Sequence, residues 1–228
     1  MVIAHRGVSA SRPENTLSAI RLAIDVHVPA IEVDVRRTRD GGLVVIHDET
    51  VGRTTNGSGR VEELTLAQIR RFDAGRGERV PALADVVREV RGRAILFLEL
   101  KVRGLWRDIF RTLEASDVRP EGVMISFLDS EIAAMKSEQP AFPGGVLFRG
   151  APAPAIETAM HVGADIVGFR EDFIRAELVQ RAHASHRAVL TWTVDSPARA
   201  SQLAAMGVDY IASNAPDCIL DSVRGVRR

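Results

Sequence analysis

The sequence predicts an α/β fold: a closed, somewhat irregular (β/α)8 barrel with an extended rim loop after the third strand. Short β-rich runs alternate along the chain with amphipathic helical stretches, and this alternation is typical of βα units that build a parallel sheet. The chain has 228 residues, a normal length for one α/β barrel, and contains no stretch with the composition of a linker. We therefore expect residues 1–228 to form a single domain.

Eight runs have the composition of strands, and eight stretches carry apolar residues at the helical spacing of three and four. The predicted strands are residues 2–6, 30–35, 43–48, 94–101, 123–127, 165–169, 188–194 and 209–213. The predicted helices are residues 14–26, 65–72, 83–90, 107–115, 130–137, 154–162, 176–185 and 197–206. A ninth candidate strand, residues 145–148, has the weakest pattern, and a barrel of eight strands leaves no place for it.

Only seven residues, 36–42, join the second and third predicted strands, too few for a crossover helix. Either the two strands form a hairpin, or the chain returns extended and both strands run parallel. Seven residues span at most about 23 to 25 Å, which is enough for that return. The parallel arrangement would place Asp34 and His47 at the same mouth of the barrel. Residues 48–80 should then form the rim loop, in the position where barrel loops build active sites.

Three acidic residues lie in otherwise apolar strands. Because strand side chains alternate between faces, Glu32 and Asp34 share one face, and Val33 points to the other. Glu99 has the same setting in ILFLELK, residues 95–101. If these two strands are neighbours, the three acids meet inside the barrel. Like charges about 4 Å apart repel by roughly 4 kcal/mol, so such a group requires protons or a cation.

A single divalent cation is the simpler solution for the three acids. A ligand set made only of oxygen atoms favours Mg²⁺ or Ca²⁺ over zinc, and it would leave positions for water or substrate oxygens. The alternative is that Glu32 or Glu99 is merely paired with an arginine.

Other residues at predicted strand ends suggest a site that cleaves a phosphodiester. Arg6 and Lys101 would bind the anionic oxygens, while His5 and His47 could divide the proton transfers. Trp192 is a candidate substrate contact, with barrel packing as the competing interpretation. Ser126 also lies at a predicted strand end.

Composition excludes several other classes of protein. The 30 basic and 30 acidic residues leave no net charge, so no overall field attracts nucleic acid or an anionic membrane. No apolar run could span a bilayer, and the first residues, MVIAH, carry no export signal, so we expect a cytoplasmic protein. A single cysteine, Cys218, excludes an internal disulfide. The motifs of P-loop nucleotide hydrolases, serine esterases and zincins are absent.

The chain resembles the glycerophosphodiester phosphodiesterases. The resemblance runs from residue 3 to about residue 216, and it rests on AHRG at 4–7, PENT at 13–16, EVDV at 32–35, HD at 47–48, RTTNG at 53–57, LELK at 98–101 and WTV at 192–194. By this resemblance the fold would be a TIM barrel, and one divalent metal would be bound by Glu32, Asp34 and Glu99. His5 and His47 would form the acid/base pair, and Arg6 and Lys101 would contact phosphate.

The resemblance also implies the reaction. A glycerophosphodiester would be hydrolysed to sn-glycerol 3-phosphate and an alcohol, with the glycerol 2-hydroxyl as a proposed nucleophile. Two alternatives stay open: a lysophospholipase D-like phosphodiesterase, and a noncatalytic barrel that binds phosphorylated metabolites.

Two positions depart from the family pattern. Many members carry Thr-Asp before a proline where this chain has SNAP at 213–216, and Asp195 follows WTV where asparagine is more usual. We expect neither departure to touch the metal or histidine set, and both to affect substrate preference.

Overall fold

The computed structural model describes residues 1–116, 122–150 and 154–225. Eight parallel strands close into a barrel, with β1 paired to both β2 and β9. The strands are β1 Val2–His5, β2 Ala30–Arg37, β3 Leu43–Val45, β4 Ile95–Leu100, β5 Gly122–Ser126, β6 Gly144–Phe148, β7 Ile166–Arg170, β8 Ala188–Trp192 and β9 Tyr210–Ser213. All except β3 belong to the barrel. The predicted TIM barrel is confirmed.

Helices between the strands cover the outside of the barrel. They are α1 Leu17–Asp25, α2 Leu66–Ile69, α3 Leu83–Val90, α4 Trp106–Glu114, α5 Asp129–Glu138, α6 Ala155–His161, α7 Ala176–Ala184, α8 Pro197–Ala205 and α9 Pro216–Arg224, with 3₁₀ turns at Val61–Glu63 and Glu171–Phe173. Helix α9 was not predicted from the sequence. Within the described residues, no helix is long and apolar enough to cross a membrane.

Strand alternation separates two apolar layers. One face of each strand packs against the helices, as Ile31, Val33 and Leu98 do. The other face fills the lower interior of the barrel with Ile3, Ala30, Phe97, Val123, Ile125, Leu147, Ile166, Leu190 and Ala212. Above this inner layer, polar side chains replace apolar ones at the carboxyl ends of the strands. The inner layer is thus a floor beneath a polar site.

Strand β3 is antiparallel to β2, so residues 38–42 form the turn of a hairpin and the parallel alternative is wrong. The hairpin nevertheless brings His47 back beside Asp34, because Val45 pairs with Val35 and Ile46 N donates to Asp34 O at 2.9 Å. The mouth of the barrel therefore gains His47 without a further barrel strand.

Strand β6 takes the barrel place that the sequence interpretation gave to residues 43–48. Its two glycines weaken the strand pattern, but they are needed for close packing. A Cβ on Gly144 would lie 2.7 Å from Met135 Cε, and one on Gly145 would lie 2.9 Å from Ile166 Cβ. These glycines mark close packing rather than a turn, which is why the composition was misleading.

The predicted rim loop after β3 has a small apolar core of its own, formed by Val44, Ile46, Val51, Val61, Ile69, Ala74 and Val80. Helix α2 in this loop is short and begins with a capping box, in which the side chains of Thr65 and Gln68 each bond the other's backbone N–H. The loop therefore has a defined structure next to the mouth of the barrel.

Candidate active site

Three carboxylates meet at the carboxyl ends of β2 and β4. Asp34 is the register partner of Glu99, and Glu32 is the register partner of His5 on β1. One oxygen from each of the three acids lies within 4.8 Å of the others. All three residues are buried, Asp34 completely. The alternation of β2 and the pairing of β2 with β4 together produce the predicted cluster.

Two basic groups border the acids. Lys101 Nζ donates to Glu99 Oε1 at 2.6 Å and lies 3.2 Å from Asp34 Oδ1. Arg6 Nε lies 3.1 Å from Asp34 Oδ2, and Asn15 Nδ2 donates to the same oxygen at 2.7 Å. Asp34 is thus partly neutralised by its neighbours.

The three acids differ in their proton affinity. Burial raises the pKa of Glu32 well above its usual value, and the charges of Asp34 and Glu99 raise it further. Burial and Asp34 also raise the pKa of Glu99. For Asp34, burial is outweighed by Lys101 and Arg6, and its pKa falls to about 2. Without a cation, Glu32 and Glu99 would therefore keep their protons to a higher pH than an ordinary glutamate does.

The cluster has the chemistry of a divalent cation site. Glu32 Oε1 and Asp34 Oδ1 are buried and have no hydrogen-bond partner. Burial of such oxygens is energetically unfavourable unless a ligand bonds them. Lys101 is close to Asp34 Oδ1 but does not meet hydrogen-bond geometry with it. The oxygen-only ligand set suits Mg²⁺ or Ca²⁺. The residues present therefore fit the predicted metal.

Charge balance supports the same fit. Hydrogen bonds and ion pairs connect the cluster to Glu14, Asp48 and Arg53. The connected groups then comprise five carboxylates and three basic side chains, Arg6, Arg53 and Lys101. With all of them ionised and the histidines neutral, two negative charges remain, matching one divalent cation.

His5 lies beside the acids at the end of β1. Its Nε2 is 4.0 Å from Glu32 Oε2, and its Nδ1 is 2.8 Å from Asn214 Oδ1. Burial, together with the charge of Arg6, lowers the pKa of His5 to about 4. His5 is therefore neutral at physiological pH, and Nε2 is the nitrogen that faces the acids.

His47 follows β3 on the rim side of the acids. Its Nδ1 lies 2.6 Å from Asp48 Oδ1, and Arg36 Nε donates to its backbone oxygen at 2.9 Å. Burial lowers the pKa of His47, and the charge of Lys101 acts in the same direction, against Asp34 and Asp48. Asp48 therefore holds the ring through Nδ1.

Glu14 and Asn15 belong to the network of contacts around the acids, although the sequence interpretation did not place them there. They were assigned to the first turn of a helix, but α1 begins at Leu17, with Thr16 as its N-cap. Glu14 bridges Arg6 and Arg53, whose guanidinium nitrogens lie 2.9 and 2.8 Å from Oε1. Asn15 reaches Asp34 from a backbone with φ +60°. Their place in the PENT motif was the available signal.

A cavity lies beside these groups at the mouth of the barrel and contains about 680 Å³ of empty space, partly open to solvent. His5, Arg6, Glu32, His47, Glu99 and Lys101 contribute its polar side. Phe127 and Trp192 form an aromatic side, with ring centroids 5.5 Å apart in an edge-to-face arrangement. The guanidinium of Arg149 lies 4.7 Å from the Phe127 ring centroid at the same side. The cavity can thus hold a polar group next to an aromatic surface.

The sequence model of the Glycerophosphoryl diester phosphodiesterase family matches residues 5–218. This chain belongs to that family. A glycerophosphodiester phosphodiesterase from Caldanaerobacter subterraneus subsp. tengcongensis is 32% identical over 238 residues, covering 98% of both chains. As a member of the glycerophosphodiester phosphodiesterase family, the chain is a phosphoric diester hydrolase.

Two solved structures show the same architecture as this phosphodiesterase. A structure of an Oleispira antarctica phosphodiesterase in complex with the product sn-glycerol-3-phosphate has a TM-score of 0.92 at 27% identity, covering 98% of this chain and 96% of that one. A glycerophosphodiester phosphodiesterase from Agrobacterium tumefaciens has a TM-score of 0.85 at 28% identity, covering 96% and 98%.

The structure brings together all the predicted site residues of this phosphodiesterase except Ser126. Asp34 contacts Lys101 and Arg6, and the cavity is lined by His5, Arg6, Glu32, His47, Glu99, Lys101 and Trp192. Ser126 lies at a strand end but on the outward face, where its Oγ donates to Leu100 O at 2.7 Å. Because side chains alternate between the two faces of β5, Ser126 points outward and does not reach the cavity.

The expectation that neither family departure touches the histidine set is wrong. Asn214 lies directly against His5, and Asp195 accepts hydrogen bonds from the backbone N–H and side chain of Asn214. The sequence separation of 209 residues between His5 and Asn214 concealed this contact, which forms only when β9 closes the barrel against β1.

Proposed function

We propose that this phosphodiesterase hydrolyses glycerophosphodiesters to sn-glycerol 3-phosphate and an alcohol, with one divalent cation and with His5 and His47 as the acid/base pair. The observation that carries the proposal is the buried trio of carboxylates, with two unpartnered oxygens, next to two histidines. The product named for the Oleispira antarctica relative agrees with it. That residues 1–228 form one cytoplasmic domain stays a prediction.

Glu32, Asp34 and Glu99 would hold the cation, Mg²⁺ or Ca²⁺. When bound, it would supply positive charge for the phosphoryl oxygens and for the attacking oxygen. Arg6 and Lys101 line the same cavity, where they would orient the phosphate by charge-assisted hydrogen bonds. Their ion pairs with the acids keep both side chains fixed.

The two histidines have different environments, which suggests different roles. His5 is neutral because its pKa is about 4, so its Nε2 can accept the proton of the attacking hydroxyl. His47 is more exposed, with 35% of its side chain accessible, and it is paired with Asp48, which opposes the lowering of its pKa by burial. His47 would therefore donate a proton to the departing alkoxide.

The proposed function is tested with metal-stripped protein and a panel of diesters. We expect glycerophosphocholine or glycerophosphoethanolamine to be hydrolysed only after Mg²⁺ or Ca²⁺ is added back, and sn-glycerol 3-phosphate to be the product. Release of a lysophospholipid headgroup instead would favour the lysophospholipase D-like alternative. Binding of phosphorylated metabolites without turnover of any diester would favour the noncatalytic barrel.

Arg149 should influence the choice of alcohol. It lines the cavity beside Phe127 and forms no ion pair with a carboxylate of the described residues, so its positive charge opposes a cationic group such as choline. The same charge disfavours stacking of a choline group on Trp192, which lines the same cavity. We expect Arg149→Glu to raise kcat/KM for glycerophosphocholine relative to a glycerophosphodiester with a neutral alcohol by about tenfold, a typical value for a charge reversal at a partly exposed site.

The matched control for Arg149 is Arg88→Glu on α3, outside the barrel, which changes the net charge equally. Its ratio of the two kcat/KM values should equal that of the unaltered protein. An unchanged ratio in Arg149→Glu would mean that the alcohol does not approach Arg149.

A further inference from the structure

A chain of hydrogen bonds leads from the exposed Asp195 to the ring of His5 by way of Asn214. Asp195 lies beyond the end of β8, and Asn214 is the first residue after β9. Asp195 Oδ2 accepts from Asn214 Nδ2 at 3.2 Å, and Asn214 Oδ1 lies 2.8 Å from His5 Nδ1. The carboxylate of Asp195 therefore acts on His5 through one intervening amide.

The carboxylate determines which way the Asn214 amide points. An ionised carboxylate accepts hydrogen bonds and donates none, so the NH₂ group of Asn214 must face Asp195 and the amide oxygen must face His5. Ser9 Oγ has a single hydrogen, which can be donated to His5 O at 2.8 Å or to this amide oxygen at 2.9 Å. Because that oxygen also donates nothing, the hydrogen of neutral His5 must be on Nδ1.

We propose that Asp195 is a positioning residue that fixes the tautomer of His5 through Asn214. With the hydrogen on Nδ1, the lone pair is on Nε2, the nitrogen that lies 4.0 Å from Glu32 and faces the cavity. The consequence for turnover rests on the proposed function, in which Nε2 accepts a proton. The tautomer itself is a property of the protein and can be measured without turnover.

The other oxygen of Asp195 makes the test specific. Oδ1 accepts from the backbone N–H groups of Asn214, at 2.7 Å, and Ala215, at 3.4 Å, and from Ser213 Oγ at 2.8 Å. The two backbone N–H groups are held in place by the chain and can only donate. In Asp195→Asn, the amide oxygen of residue 195 must therefore stay in this place, and its NH₂ group must face the NH₂ group of Asn214.

The repulsion between these two facing NH₂ groups is relieved when the Asn214 amide rotates by half a turn. Its NH₂ group would then face His5 Nδ1, which must become an acceptor, and the ring hydrogen would move to Nε2. The single change Asp195→Asn should therefore produce the wrong tautomer at a site that Asp195 does not touch.

The double variant Asp195→Asn/Asn214→Asp should restore the original tautomer. A carboxylate at 214 can accept from both His5 Nδ1 and the new amide at 195, whose oxygen still satisfies the two backbone donors. The two departures from the family pattern are thus one reciprocal exchange between contacting positions. Asn214→Asp alone would place two carboxylates against each other, and we expect its kcat to be lower than that of the unaltered protein.

The experiment measures the ¹⁵N shifts of His5 in the full-length protein at neutral pH, with and without Mg²⁺, together with kcat and KM. We expect an Nδ1–H ring in the unaltered protein and in the double variant, and an Nε2–H ring in Asp195→Asn. The kcat of Asp195→Asn should fall by about 10 to 100-fold with little change in KM, a typical effect of a residue that orients a catalytic group. The double variant should recover most of that loss.

The control is Asp221→Asn on α9, which removes a solvent-exposed carboxylate whose ion-pair partner is Arg224 and should change neither tautomer nor kcat. An Nδ1–H ring in Asp195→Asn, or a double variant no better than the single one, would overturn the proposal. If no form of the protein hydrolyses a diester, the proposed function fails while the tautomer results still decide the role of Asp195.

Discussion

Glutamine in place of Glu32 is expected to lower turnover by roughly 1,000-fold and, in the metal-free protein, to raise stability. The loss of turnover follows because bound metal supplies several kcal/mol of transition-state stabilisation, and 1.36 kcal/mol corresponds to tenfold in rate. The gain follows because Glu32 is buried beside Asp34 and Glu99, which raise its pKa. Removing that repulsion should add about 1 to 3 kcal/mol to the free energy of unfolding.

The pH dependence of stability provides a second readout of Glu32. A carboxyl whose pKa is raised on folding binds more protons in the folded state, so its favourable contribution is present at low pH and is lost as pH rises through the folded pKa. Burial and the neighbouring acids raise the pKa of Glu32 above 4.5. Metal-free protein should therefore lose stability as pH rises above about 4.5, and Glu32→Gln should lose less. Urea unfolding over a range of pH, in the presence of a chelator, measures the loss of stability in the unaltered protein and in Glu32→Gln.

Glu131→Gln is the matched control, since Glu131 is another buried glutamate but lies outside the site. Its two carboxylate oxygens accept from the backbone N–H groups of Gly104 and Leu105 at 2.7 and 3.1 Å. Glutamine there would turn a donor toward a donor, so stability should fall while turnover is retained. If Glu32→Gln destabilised metal-free protein as Glu131→Gln does, the carboxylate repulsion would not exist.

Alanine at His5 or His47 should each lower kcat by about 100 to 10,000-fold, the usual contribution of a general acid or base. The proposed roles predict different responses to the leaving group. A p-nitrophenyl diester releases a stable phenolate that needs no proton, so the defect of His47→Ala should largely disappear with it. The defect of His5→Ala should persist, because the attacking hydroxyl still has to lose its proton.

His161→Ala, at the exposed end of α6, is the control and should leave kcat unchanged for both substrates. Equal defects of His47→Ala with both leaving groups would remove His47 from the role of acid. A defect of His5→Ala that disappears with p-nitrophenyl diesters would reverse the two assignments.

Local sequence patterns predicted side-chain placement correctly where that placement depends on a single strand. The alternation of β2 placed Glu32 and Asp34 on one face before any partner strand was known, and the structure keeps them there. The same reasoning failed for β6, because its glycines pack against Met135 and Ile166 rather than forming a turn. It also failed for Glu14 and Asn15, whose residue types suit a helix start as well as an ion-pair network.

The sequence by itself determined the barrel class and the shared face of the acidic residues in each strand, because side-chain alternation is a local property. Only the tertiary structure decided that Asp34 lies opposite Glu99, that a hairpin returns His47 to the mouth, and that Asn214 meets His5. Such contacts depend on strand register and on closure of β9 against β1. Register and closure are set by packing of the whole barrel, so no short stretch of sequence encodes them.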